Sequence, residues 1–128
     1  MDRRSSWWAR TASGAASTKG DGGLVRLRLK SRNRLYPPSM YKGIFWWGNP
    51  KLMYIGMQDQ YYTFNMFDAQ AWYARDAVLG RIKLPPYDEM AADIQKWIKL
   101  EEALEDPYQA IDFQTEYTRD LLAPTDYP

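Results

Sequence analysis

Cysteine and histidine are both missing from this 128-residue chain. Their absence excludes a disulfide, a zinc–thiolate site, a cysteine nucleophile and a histidine general base. It fits a reducing, cytoplasmic setting. Long apolar runs are missing too: no stretch approaches the roughly 18 residues that a membrane span needs. Arg3 and Arg4 are followed only by the apolar patch Trp7, Trp8 and Ala9. That is too short for a signal peptide, so no targeting segment is expected. With so few reactive side chains, chemistry here would need a bound group to carry it.

What the chain does hold is rings. Hydrophobic residues make up 45% and aromatics 16% of it, enough to build the core of one small domain. Rings at that density suit a packed interior or a pocket for something flat, and the packed interior is the default for any single ring. The net charge of +1 conceals a split, because residues 1–34 hold nine of the 17 Lys and Arg but two of the 16 acids. A basic front can mark a nucleic-acid arm. No recognisable binding fold accompanies it, and residues 1–23, rich in Ser, Ala, Gly, Thr and Arg, are expected to be disordered. Gly20-Asp21-Gly22-Gly23 falls short of a dinucleotide fingerprint: Val25 stands where the third glycine belongs and no strand precedes it.

The rest reads as α+β, a few short strands followed by about three helices. Leu24 to Leu29 alternates with period two, as a short strand with one basic face does. Ile44–Trp47 and Lys51–Ile55 read as two strands around the turn Gly48-Asn49-Pro50. The second is apolar on both faces, which predicts an interior sheet position. A helix is expected from Thr63 or Asn65 to Leu79, stopped by Gly80, with Asn65 and Asp68 as a capping pair. Phe64, Phe67, Ala71, Ala74 and Val78 form its main apolar stripe, widened by Met66, Tyr73 and Ala77. Such a helix is buried on more than one side, and a chain this short offers few partners to do it. A second helix, about Asp88 to Glu105, presents Met90, Ile94, Trp97, Ile98 and Leu104 on one face, with Lys96, Lys99, Glu101 and Glu102 outside. Asp106-Pro107 ends it and starts a third, to about Leu122.

Between the Lys51–Ile55 strand and the first helix lies a polar turn, Gly56 to Tyr62. A strand that ends in a glycine-containing turn and feeds a helix is a general ligand-binding device. The helix start offers free N–H groups and partial positive charge. Gln58, Gln60, Thr63 and Asn65 add neutral donors and acceptors, suited to a heterocycle. Spacing alone favours the plainer alternative, a polar loop before a capped helix.

The wording of the chain goes further. Leu27-Arg28-Leu29-Lys30, Asn33-Arg34-Leu35-Tyr36-Pro37-Pro38, Tyr41-Lys42-Gly43 and the run Asn49 to Gln60 resemble the bacterial flavin-containing monooxygenase family. So do the run Thr63 to Asp76, Gly80-Arg81-Ile82, Trp97, Glu101-Glu102-Ala103-Leu104 and Ile111-Asp112-Phe113-Gln114-Thr115. The resemblance covers about residues 26–128 and leaves 1–25 as an unrelated leader. It implies a piece of an α/β flavoprotein with two Rossmann-like domains, one for FAD and one for NADP. Residues 26–84 would be the C-terminal part of the FAD-binding domain and 85–128 a truncated helical extension. The implied reaction is oxygenation of trimethylamine or similar small methylated amines, or of sulfides, using NADPH, FAD and molecular oxygen. By resemblance Gln60 and Thr63 contact FAD, with Gln58, Asp59 and Asn65 as neighbours; no residue here is expected to be catalytic or to bind a metal.

The family's two glycine-rich fingerprints, which cradle the pyrophosphates of FAD and NADPH, have no counterpart in the chain. The expectation is therefore a C-terminal fragment, inactive alone, as a frame break or gene truncation would produce. Two other functions stay open on the residues themselves. One is a non-enzymatic helical interaction module, self-associating through the apolar helix. The other is nucleic-acid binding through Arg26 to Arg34.

Overall fold

The computed structural model describes residues 33–128. The expected disordered leader and the Leu24–Leu29 strand lie outside the described residues. Two two-residue strands, β1 (Met40–Tyr41) and β2 (Phe45–Trp46), precede three 16-residue helices, α1 (Thr63–Val78), α2 (Tyr87–Glu102) and α3 (Pro107–Leu122). The α+β reading holds.

β1 and β2 pair antiparallel, Met40 opposite Trp46 and Tyr41 opposite Phe45. Lys42 and Gly43, both at positive φ (56° and 66°), reverse the chain between them, and such consecutive left-handed residues make the tightest reversals. β1 was not legible in the sequence: two residues are too few to show a period. The expected Lys51–Ile55 strand is corrected. Trp46 N–H donates to Leu52 O and Tyr54 N–H to Ile44 O, but the segment contributes only one isolated bridge, Phe45 opposite Met53. It is also not interior, since Leu52, Met53, Tyr54 and Ile55 are 37–53% exposed.

The first helix starts and stops where expected, with Leu79 as C-cap and Gly80 at φ 74°. Its cap and its buried face need correction. Tyr62 is the N-cap and no side chain caps it; Asn65 already sits inside the first turn, and Asp68 accepts instead from Tyr127 Oη at 2.9 Å. The core takes Met66, Ala69, Gln70, Tyr73 and Ala74, while Phe64 is 84% and Val78 67% exposed. α2 ends at Glu102, short of Glu105, with Ala103 as C-cap. Asp106 caps α3, accepting from Gln109 N–H, with Pro107 in the first turn, where its lacking N–H costs nothing.

One core joins the strands and all three helices, from Tyr36 to Leu121. Its centre is aromatic: the Trp97 ring stacks on Tyr36 (centroids 5.9 Å apart) and meets Phe113 and Tyr117 edge-on at 5.4 and 5.8 Å. These rings therefore make the packed interior and no pocket. Two buried charges tie the strand region to the helices. Glu101, expected outside, is 7% exposed and accepts from the Leu35 and Tyr36 N–H groups at 2.9 and 3.0 Å. Lys42 Nζ lies 2.5 Å from Asp120 and 3.4 Å from Asp93. Burial alone would push Lys42 down, but those two carboxylates outweigh it and hold it above its ordinary value.

Candidate functional site

The polar turn is held from beneath by amides. Gln70, on the inner face of α1 and wholly buried, accepts from Gly56 N–H at 2.8 Å. Its Nε2 donates to Gln58 Oε1 at 3.0 Å and to Tyr117 Oη at 2.8 Å. Tyr117 Oη in turn donates to Lys42 O at 2.6 Å. From α3, Gln114 accepts from Tyr61 N–H at 2.8 Å and donates to Asp59 O. Two helices thus fix both ends of a segment that has no regular hydrogen-bond ladder of its own. Burial pushes the Tyr117 phenol well up, against the opposing bonds from Gln70 and Gln58; it is a neutral hydroxyl at any working pH.

Two glycines make this geometry possible. At Gly43 a Cβ would come within 2.6 Å of Tyr117 Oη and 2.8 Å of Gln58 Nε2. At Gly56, φ 79°, it would come within 2.4 Å of the Phe67 ring.

The five residues singled out in the sequence fall into three situations. Gln58 is 2% exposed and faces inward to Gln70. Gln60 Nε2 donates back to Gly56 O and Gln58 O, at 3.2 and 2.8 Å, so its free polar atom is the carbonyl oxygen. Asp59 donates its N–H to Arg34 O and holds the Arg34 guanidinium at 2.5 Å. Gln58, Asp59 and Gln60 come together with Arg34, Leu35 and Tyr61 around a recess of about 510 Å³. Thr63 and Asn65 are exposed at the start of α1. Asn65 borders a second hollow of about 520 Å³, with Ile55, Phe64, Phe67, Asp68 and Ala71. Gln70 and Gln114, which position the turn, escaped sequence reasoning. For Gln70 the signal was there: Met66, Gln70, Tyr73 and Ala77 follow helical i, i+4, i+7, i+11 spacing.

This donor set suits a neutral ring edge. The first turn of α1 presents N–H groups that no side chain caps, with partial positive charge behind them. It does not suit a pyrophosphate, because the cation lining the recess, Arg34, is already paired with Asp59. That pairing also engages the last residue of the basic segment proposed for nucleic acid; Arg26 to Arg32 lie outside the described residues. Among the described residues no cluster of acids could hold a metal ion, and no helix is long and apolar enough to cross a membrane.

The chain that carries this turn is similar to known proteins over most of its length. Over 102 residues, 80% of the chain, it is 70% identical to a trimethylamine monooxygenase of Methylocella silvestris. Over the same length it is 60% identical to one from Pelagibacter sp.. The chain matches a C-terminal part of trimethylamine monooxygenase. It spans 23% of the length of each of these relatives. The crystal structure of Tmm from Pelagibacter sp. strain HTCC7211 superposes with a TM-score of 0.74 at 60% identity, over 80% of this chain and 23% of that one. No family model matches the chain.

Proposed function

We propose that the chain is a fragment of an FAD- and NADPH-dependent monooxygenase that N-oxygenates trimethylamine or similar small methylated amines, and that it is inactive alone. The observation that carries this reading is the 70% identity over 102 residues to the Methylocella trimethylamine monooxygenase, a span long enough to include the whole turn. The setting is the cytoplasm, and the partners are the amine and molecular oxygen.

When bound, FAD supplies the oxygen-activating chemistry that no side chain here could. This chain's residues bind and orient it. Gln60, through its carbonyl oxygen, and Thr63, at the uncapped start of α1, contact the flavin, with Gln58, Asp59 and Asn65 as less direct neighbours. Gln70 and Gln114 keep the turn in place. Residues 26–84 belong to the FAD-binding domain and 85–128 to a helical extension packed on it through the Tyr36–Trp97–Tyr117 core.

Inactivity follows from the missing cradle. Without glycine-rich phosphate loops, contacts along one ring edge leave the dinucleotide's charged half unbound. The test is gel filtration of the purified chain after incubation with FAD, followed by an NADPH oxidation assay with trimethylamine. The expected result is flavin eluting only in the small-molecule volume and no amine-dependent oxidation. Stoichiometric flavin travelling with the protein would overturn the inactivity.

A further inference from the structure

Among the described residues, Lys42 alone holds a positive φ, 56°, without being glycine. A Cβ makes that conformation costly, and tight reversals favour Asn, Asp or Gly at such positions. A residue of another type persists there only where its surroundings hold it. The Lys42 side chain, 10% exposed, has such surroundings. Its Nζ lies 2.5 Å from Asp120 on α3 and 3.4 Å from Asp93 on α2. The ammonium is thus anchored to two helices, and the strained backbone is anchored with it.

The carbonyl of the same residue is engaged as well. Lys42 O accepts the Tyr117 hydroxyl at 2.6 Å, and that hydroxyl accepts from Gln70 Nε2 at 2.8 Å. Gln70 holds the Gly56 N–H through Oε1 and Gln58 Oε1 through Nε2. The Gly56 and Gln58 carbonyls then accept both donor bonds of the Gln60 amide. A run of hydrogen bonds therefore leads from the Lys42 carbonyl to Gln60, whose remaining oxygen faces outward. The Lys42 carbonyl belongs to the peptide between two left-handed residues, Lys42 and Gly43, so its direction depends on that conformation being kept.

We infer that Lys42 is a positioning residue for the polar turn: its ion pairs with Asp93 and Asp120 hold a strained backbone whose carbonyl, through Tyr117 and Gln70, sets where Gly56, Gln58 and Gln60 stand. The consequence for flavin rests on the reading of that turn as the FAD contact; the positioning itself does not. A neutral residue that tolerates positive φ would leave the turn in place. A neutral residue that avoids positive φ would release it.

The test uses that contrast. Lys42→Met and Lys42→Asn both remove the ammonium from the 128-residue chain, but Asn tolerates the left-handed backbone and Met does not. Amide hydrogen exchange is read at Gly56, with Ile94 in α2 as the internal standard for the stability of the whole fold. In Lys42→Met the Gly56-to-Ile94 ratio of exchange rates is expected to rise about tenfold or more, and in Lys42→Asn to stay within about threefold of the parent. Asp120→Asn leaves the reversal's own residues intact and weakens only the anchor. It should raise the ratio as Lys42→Met does, and its comparison with Lys42→Asn decides the matter if Lys42→Met fails to fold. Equal ratios in Lys42→Met and Lys42→Asn would overturn the inference, because the ion pairs would then clamp the whole fold without acting on the turn. So would a ratio in Asp120→Asn no higher than in Lys42→Asn. Flavin plays no part in the measurement, so failure here is distinct from failure of the monooxygenase assignment.

Discussion

Gln70 Oε1 accepts the Gly56 N–H at 2.8 Å while its Nε2 reaches Tyr117 Oη, also at 2.8 Å. One wholly buried amide thus joins α1, the polar turn and α3. Buried polar groups that bond one another favour a single arrangement, and removing one partner from them is costly. Gln70→Leu keeps the volume but orphans the Gly56 N–H and Gln58 Oε1 and takes one of two bonds from the Tyr117 hydroxyl. It is expected to cost about 2–4 kcal/mol, read from the urea midpoint. Hydrogen exchange at Gly56 should rise more than exchange within α2, because the turn loses its anchor before the core does.

The two turn glycines should differ in sensitivity although both sit at positive φ. Gly56→Ala strains the backbone and crowds Phe67, whose half-buried ring can swing outward. Its expected cost is about 1–2 kcal/mol, mostly backbone. Gly43→Ala strains the backbone equally but drives a methyl into Tyr117 Oη and Gln58 Nε2, both buried, and the Tyr117 hydroxyl is bonded to Lys42 O and Gln70 Nε2. It should cost about 3–4 kcal/mol, since a network bond is lost as well. Paired denaturation curves give the order; a larger loss at Gly56 would contradict it.

The carboxylate of Glu101 gives a pH signature. Burial raises its pKa from the ordinary value of 4.5, against the opposing N–H bonds of Leu35 and Tyr36. The folded state therefore holds this proton more tightly than the unfolded chain. The corresponding stability is fully present below about pH 4.5 and is lost as pH rises through the folded value. Glu101→Gln turns one of the two accepting oxygens into an NH2 and so keeps one N–H bond of the two; it should be less stable throughout and lack that decline. Stability profiles of the two proteins from pH 4 to 8 should diverge on the acid side; parallel profiles would contradict the buried, raised carboxyl.

Removing the central ring tests the core that joins residues 36–47 to the helices. Trp97 is 4% exposed and packs against Tyr36, Phe113 and Tyr117. Trp97→Ala is expected to cost about 3–5 kcal/mol, a large part of a small domain's total. Thermal melting by far-ultraviolet dichroism would show it as a lowered or missing transition.

The parts of this fold that could be read in the sequence are those fixed locally. Gly80 and Asp106-Pro107 punctuate the helices because backbone geometry acts within a few residues, and the period of Met90, Ile94, Trp97 and Ile98 leaves one solution for α2. Helix α1 was ambiguous because it carries two apolar stripes. Phe64–Phe67–Ala71–Val78 is the more apolar, yet the chain turns Met66–Gln70–Tyr73 inward. Gln70 decides it, through a hydroxyl 47 residues away on Tyr117, and no local pattern shows that pairing. Glu101 was misplaced for the same reason: its partners are the backbone N–H groups of Leu35 and Tyr36, 66 and 65 residues distant. At the site, the polar, glycine-containing character of the turn was legible. The pairing of Gln58 with Gln70 and the bonding of Gln60 back to the turn were not; they leave the uncapped start of α1 and the Gln60 carbonyl as its outward-facing polar groups.

The most direct test of the monooxygenase assignment is a chimera, the Methylocella silvestris trimethylamine monooxygenase with its matched 102 residues replaced by those of this chain. Purified chimera is assayed for flavin content and for trimethylamine-dependent NADPH oxidation. Bound FAD and amine-dependent turnover within about tenfold of the parent are expected, with both absent from the isolated chain. A chimera that folds but holds no flavin, or holds flavin and does not respond to amine, would contradict it.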